Sequence, residues 1–155
     1  MKKLFFQMVA GFVSMLVLNA AMAAERGTPE QAVALVKSAI TYMKANGKEK
    51  ALAEFNNPNG KFKDRDLYIF VVDFNGMALA QGANPKIAGK NVIELRDGDG
   101  KYFVKSYIHL AREKGQGWTD FRWVNPVSSA LEQKSVYVEK YEDMVVGSGV
   151  YKSAN

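Results

Sequence analysis

The residues with the most chemical reach lie in the second half of the chain. Lys134, Val136 and Val138 alternate with Ser135, Tyr137 and Glu139. Just upstream, Trp118, Asp120 and Arg122 alternate with Thr119, Phe121 and Trp123. A lysine entering a strand between aromatic residues can hold a carboxylate, because a low-dielectric wall strengthens the charge pair. The same residue types also make an ordinary core of aromatics with charges along a strand edge. On residue types alone the second reading is favoured. Gly147 and Gly149 flank Ser148 in a strand pattern. Two glycines on one face mark a close approach to the backbone, by a ligand or by a packed aromatic ring.

Other chemistries find little support. His109 is the only histidine. It shares a helical face with Lys105 and Arg112, so it reads as a solvated side chain without the convergent partners that acid–base or metal roles need. Asp97-Gly98-Asp99-Gly100 resembles the start of a calcium loop, but Lys101 and Ile108 occupy positions where further oxygen ligands are required. Helix capping is the expected role of these aspartates. Gly147-Ser148-Gly149 lacks the Gly-x-Ser-x-Gly spacing of a hydrolase elbow. No phosphate loop or dinucleotide fingerprint occurs. There is no cysteine, which removes thiol catalysis and thiolate metal sites. The expectation is a protein that is not an enzyme and carries no metal or cofactor.

The N-terminus places these residues in a compartment. Lys2 and Lys3 precede an apolar run from Leu4 to Met22, and Ala21-Met22-Ala23 offers small residues before Glu25 and Arg26. That is the pattern of a signal peptide, residues 1–23, ahead of one domain, residues 24–155. The run is close to the lower limit for a spanning helix, so membrane contact is expected only if it is retained. Export implies a periplasmic or secreted protein, held by its core without disulfides. The formal charge of +5 falls by two once Lys2 and Lys3 are removed. Its scattered remainder forms no basic stripe, so nucleic acid is not an expected partner.

The elements follow from punctuation and period. Thr28-Pro29-Glu30-Gln31 is a capping box with proline at the first helical position. Val33, Val36, Ile40 and Met43 continue it as one apolar stripe, and Gly47 ends it. A shorter helix is expected over 48–56. Residues 66–73 are apolar on both faces, which predicts a strand covered on both sides. Asn75-Gly76 turns it into a second strand over 77–81. Residues 83–96 read as irregular. A helix is expected over 101–114, with Phe103, Tyr107 and Leu110 inward. Strands over 118–124, 134–141 and 144–151 complete a mostly antiparallel sheet. The fold class is α+β: a long N-terminal helix, then a five-stranded antiparallel sheet with a helix between strands two and three. The helices are expected on one side of the sheet.

Several spaced blocks resemble the single Cache domain family, an extracytoplasmic relative of the PAS fold. They are LYIFVVDFNGMALAQGANPKIAGKNV (67–92), Asp99-Gly100-Lys101 with the helix behind it, GWTDFRWVNPV (117–127), the Lys-x-x-Tyr-Val spacing of 134–138, and VVGSGVY (145–151). The resemblance implies a small pocket between the sheet and its loops that senses small molecules, often short carboxylates, for chemoreceptors and sensor kinases. Carried over by position, Phe121 and Trp123 form the pocket wall, Lys134 and Tyr137 the basic–aromatic pair, and Gly147 and Gly149 the close-approach glycines. Tyr68 and Tyr107 are added from strand one and the helix. Family members often have histidine where this chain has Gln81, and tyrosine where it has Phe121.

The combined expectation is a periplasmic domain that binds a small organic anion. It is expected to act with a separate membrane receptor or transporter that reads the bound state. The alternative is a docking module of the cell envelope without a small ligand, which predicts a fully packed interior.

Overall fold

The computed structural model describes residues 26–152. The signal-peptide expectation for residues 1–23 lies outside them. Among the described residues no helix is long and apolar enough to cross a membrane.

Helix α1 (Pro29–Asn46) starts as its sequence dictates. The Thr28 side chain accepts from the Gln31 N–H, and the Gln31 side chain accepts from the Thr28 N–H. Its buried face is Ala32, Val36, Ala39, Ile40 and Met43. Each of the larger side chains contributes about 1.5–3 kcal/mol by leaving water. Gly47 ends it and α2 (Lys48–Phe55) follows at once.

The expected strand over 66–73 is two strands. A short ribbon pairs β1 (Lys63–Asp64) with β2 (Leu67–Tyr68), turning at Arg65 with φ 57°. The charged run Lys63 to Asp66 carries no strand signal, so β1 is invisible in the sequence. After Ile69, β3 (Phe70–Asp73) enters the main sheet and turns at Asn75-Gly76 into β4 (Ala78–Gln81). Gly76 sits at φ 85°, where a side chain would be strained. The Asp73 carboxylate accepts from the Asn75 and Met77 N–H groups and closes the turn.

A 3₁₀ turn (Pro85–Ile87) leads to α3 (Phe103–Lys114) and then β5 (Gln116–Val124), β6 (Leu131–Tyr141) and β7 (Met144–Lys152). The sheet order is β4-β3-β7-β6-β5, antiparallel throughout. Strand β6 begins three residues before the expected Lys134, because pairing with β5 runs on to Val124–Leu131. Strand β7 is central and buried along all but its last residue.

Two expectations are corrected. The helices cover both faces of the sheet. Ile69, Val71, Met144 and Val146 pack with α1 and α2, while Phe70, Val72 and Val145 pack with α3. The apolar character of both faces of residues 66–73 has this cause. Asp97 does not cap α3, whose N-cap is Tyr102 without a side-chain bond. Its carboxylate accepts from the N–H groups of Asp99, Lys101 and Arg122, which pins the loop before α3 onto β5.

Candidate functional site

The α3 face of the sheet carries a row of three residues across three strands. Phe121 on β5 faces Lys134 on β6, and Lys134 faces Tyr151 on β7. Above this row, under α3, lies a cavity of about 50 Å³. Its lining includes Tyr68, Phe70, Gln81, Phe103, Tyr107, Phe121, Trp123 and Lys134. Phe103 and Phe121 stack with ring centroids 4.4 Å apart, and Trp123 closes on Phe103 at 5.1 Å.

Lys134 is the one charged residue in that lining. It is 2% exposed. Its Nζ donates to the Tyr68 hydroxyl at 2.7 Å and lies 4.1 Å and 4.8 Å from the ring centroids of Tyr68 and Tyr151. The Tyr151 hydroxyl donates to the Val124 carbonyl at 3.0 Å. The 3.1 Å contact between the two hydroxyls therefore has Tyr68 as donor. The chain runs from Lys134 Nζ to Tyr68 to Tyr151 to the backbone, and every proton points away from the lysine. Among the described residues no carboxylate lies within ion-pair distance of Lys134 Nζ. A desolvated ammonium held only by two rings and a phenol is costly unless an anion completes its shell.

Two further groups face the cavity with hydrogen-bonding capacity unspent. Tyr107 is 3% exposed, and its hydroxyl makes no hydrogen bond among the described residues. Burial, with a smaller contribution from Tyr68, pushes its phenol pKa well above the usual range, so it remains a donor at any physiological pH. The Gln81 Oε1 accepts from the Ala83 and Asn84 N–H groups. That leaves the Gln81 amide N–H₂ directed elsewhere, without a protein acceptor among the described residues.

Of the residues singled out in the sequence, Tyr68, Tyr107, Phe121, Trp123 and Lys134 come together here. Tyr137, Gly147 and Gly149 are not part of the lining. Tyr137 is three residues from Lys134 on one strand, so the two side chains point to opposite faces. Tyr137 packs in the α1 core and donates to Glu139 at 3.0 Å. Burial and that hydrogen bond push its pKa up to about 12. Gly147 accommodates a ring: a Cβ there would meet Phe70 Cζ at 2.2 Å. Gly149 lies against Ser135 and Val136, whose atoms would be 2.5–2.9 Å from a Cβ. Tyr151 escaped sequence reasoning, and Gln81 entered it only as the position where family members often have histidine. Tyr151 becomes a partner of Lys134 only through the β6–β7 register, which has no local signal.

A second network backs the site. The Arg26 guanidinium donates to both Glu132 oxygens, at 2.8 and 3.2 Å, and reaches the Tyr151 carbonyl at 3.4 Å. Asn125 and Ser128 also donate to Glu132. These bonds, Arg26 first and against the cost of burial, hold the Glu132 pKa down at about 2. Asp66 is fully buried and accepts from the Gly27 N–H at 2.7 Å. Its second oxygen has no partner, and burial raises its pKa.

Comparison with known proteins gives a consistent picture. The family model described as single Cache domain 2 matches residues 6–154. Over 90 residues the chain is 30% identical to the methyl-accepting chemotaxis protein McpP of Pseudomonas putida, and over 89 residues 29% identical to the sensor histidine kinase MctS of Rhizobium johnstonii. These matches take in 57% and 56% of this chain but only 16% and 19% of those proteins. A solved methyl-accepting chemotaxis protein from Vibrio parahaemolyticus is 26% identical, with a TM-score of 0.66, covering 88% of this chain and 92% of the other. A Cache chemosensory domain, solved to show carboxylic acid recognition, is 20% identical with a TM-score of 0.63. There the match covers 92% of this chain and 98% of the other.

Proposed function

The chain belongs to the single Cache domain family, and from that premise we propose that it is an exported sensory domain that binds a short organic carboxylate over Lys134. The observation that carries this reading is the buried Lys134 ammonium, facing a cavity with no counter-ion among the described residues. A carboxylate there would accept from Nζ in a charge-assisted bond, strengthened by the surrounding rings. Tyr107 and Gln81 supply further donors. Phe103, Phe121 and Trp123 exclude water and limit size.

The volume supports a small ligand. A water-sized group occupies about 10–15 Å³ of such a cavity, so it holds roughly four such groups, the scale of acetate or propanoate. The solved Cache relative described by its carboxylic acid recognition is consistent with the same ligand class. The reading is of binding without catalysis. Its output would pass to a membrane receptor or transporter, since the curated relatives carry this region within a chemotaxis receptor and a sensor kinase. The docking-module alternative predicts a filled interior, and the cavity beside Lys134 favours the binder.

The test is isothermal titration of the purified protein with C2 to C4 carboxylates, each beside its neutral amide. Binding of a carboxylate with no binding of the matched amide supports the reading. Equal binding of both, or of neither, sinks it.

A further inference from the structure

The cavity over Lys134 does not end blindly. A groove of about 380 Å³ lies beyond it, and Gln81, Ile87 and Trp123 border both spaces. These three side chains are the partition. They come from the end of β4, the 3₁₀ turn and β5. Phe103, Phe121 and Tyr107 line the inner space alone.

The three members are not equally replaceable. Gln81 is committed to the backbone of the following turn through Ala83 and Asn84. Trp123 is half-buried, and its indole N–H makes no hydrogen bond among the described residues. Its indole packs by apolar contact, with ring centroids 5.1 Å from Phe103 and 6.3 Å from Phe121. On its outer side the groove offers apolar surface from Val124, Pro126 and Leu131. Val124 is 52% and Leu131 47% exposed, so an alkyl group laid there would remove apolar area from water.

We infer that Trp123 is the specificity-determining residue for chain length: it ends the inner cavity at the size of a two- or three-carbon acid and denies longer alkyl carboxylates the groove. This rests on the carboxylate reading of the Lys134 site. The carboxylate end is fixed at Lys134, and every added methylene must run toward the partition or stay outside. Removing the indole would join the two spaces, and the tail of a longer acid would then lie against Val124 and Leu131.

The experiment titrates the protein with acetate, propanoate, butanoate, pentanoate and hexanoate, for the parent, Trp123→Ala and Ile87→Ala. The second variant opens the same partition from the 3₁₀ turn, away from the aromatic stack. The parent is expected to prefer the C2 or C3 acid. In either variant that folds, the affinity for pentanoate is expected to rise at least tenfold relative to acetate. An unchanged chain-length order in the folded variants, with the parent binding short acids, overturns the role of Trp123 and leaves the carboxylate site standing. A parent that binds no acid of any length overturns the site itself, and this inference with it.

Discussion

The Lys134 ammonium and the Tyr68 hydroxyl meet at 2.7 Å, both buried, and the phenol is the lysine's only hydrogen-bond acceptor among the described residues. The pair joins the sixth strand to a two-stranded ribbon outside the main sheet. Tyr68 donates its own O–H to Tyr151, whose hydroxyl is anchored to the Val124 carbonyl. The lysine is thus aimed but not neutralised. That is the state the proposed binding role requires, in contrast to a structural ion pair, in which the opposite charge is already supplied.

Replacing Lys134 by methionine separates these roles. The variant keeps the length and apolar stem of the side chain and removes an uncompensated buried charge. The unliganded protein is expected to be as stable as the parent or more so in urea denaturation. Carboxylate affinity is expected to fall at least tenfold, the scale of a charge-assisted bond worth about 1.5–3 kcal/mol. A variant that loses stability and retains binding would show the lysine to be structural.

Tyr68→Phe tests the relay from the other side. It removes the acceptor of Lys134 and the donor to Tyr151 while leaving both rings in place. A buried donor left without its acceptor costs about 1–3 kcal/mol. The unliganded variant should lose stability in that range. Carboxylate binding should recover part of it, because the ligand supplies the missing acceptor. The readout is the ligand-induced rise in melting temperature, expected to be larger in the variant than in the parent at equal ligand concentration, because the variant's unpaired ammonium gains more from the carboxylate.

What the sequence makes legible here is local chemistry. The Thr28 capping box, the Gly47 stop and the Asn75-Gly76 turn are decided by neighbours within four residues, and all three form as read. The Lys134–Tyr137 pairing failed for an equally local reason. An odd separation on a strand sends side chains to opposite faces, so the period of the strand overrides closeness in sequence. The partners Lys134 does have, Tyr68 and Tyr151, lie 66 and 17 positions away and meet it through strand register and the β1–β2 ribbon. Neither register nor the ribbon leaves a mark in composition. The two-sided helix cover was present in the doubly apolar run of residues 66–73, but the short-loop pattern of the later strands pointed to a one-sided layer.

Glu132 carries a pH signature. Its pKa is about 2 in the folded protein against an ordinary value of 4.5, because Arg26, Asn125 and Ser128 donate to it. A depressed carboxylate contributes stability that is complete above its unfolded pKa and is lost as pH falls toward the folded one. The contribution is on the order of 3 kcal/mol at neutral pH, lost between about pH 5 and pH 2. Glu132→Gln is expected to be less stable than the parent at pH 7. The gap should close as pH falls through that window. Asp66 works with the opposite sign: its raised pKa makes its carboxylate a liability that protonation relieves as pH falls, so comparing the parent with Glu132→Gln isolates Glu132. Urea denaturation at pH 7, 5, 4 and 3 checks this, and a constant gap would contradict it.

Gly147 links core packing to the cavity. An added Cβ would meet the Phe70 ring at 2.2 Å, and Phe70 lines the site. Overpacking of this kind costs about 1–3 kcal/mol where neighbours can shift. The direction in which Phe70 has room to move is the cavity itself, since strands β3 and β7 are paired at this position. Gly147→Ala is therefore expected to lower stability within that range and to weaken carboxylate binding as well, although Gly147 is not among the lining residues. Combining it with Phe70→Leu should restore both, because the smaller side chain vacates the contested space. Contacting residues couple in this non-additive way, and the double-mutant cycle measures it. Equal losses with and without Phe70→Leu would mean that the glycine is needed for its backbone alone. Rescue of both stability and affinity would mean that the absent side chain at position 147 sets the depth of the binding site through Phe70.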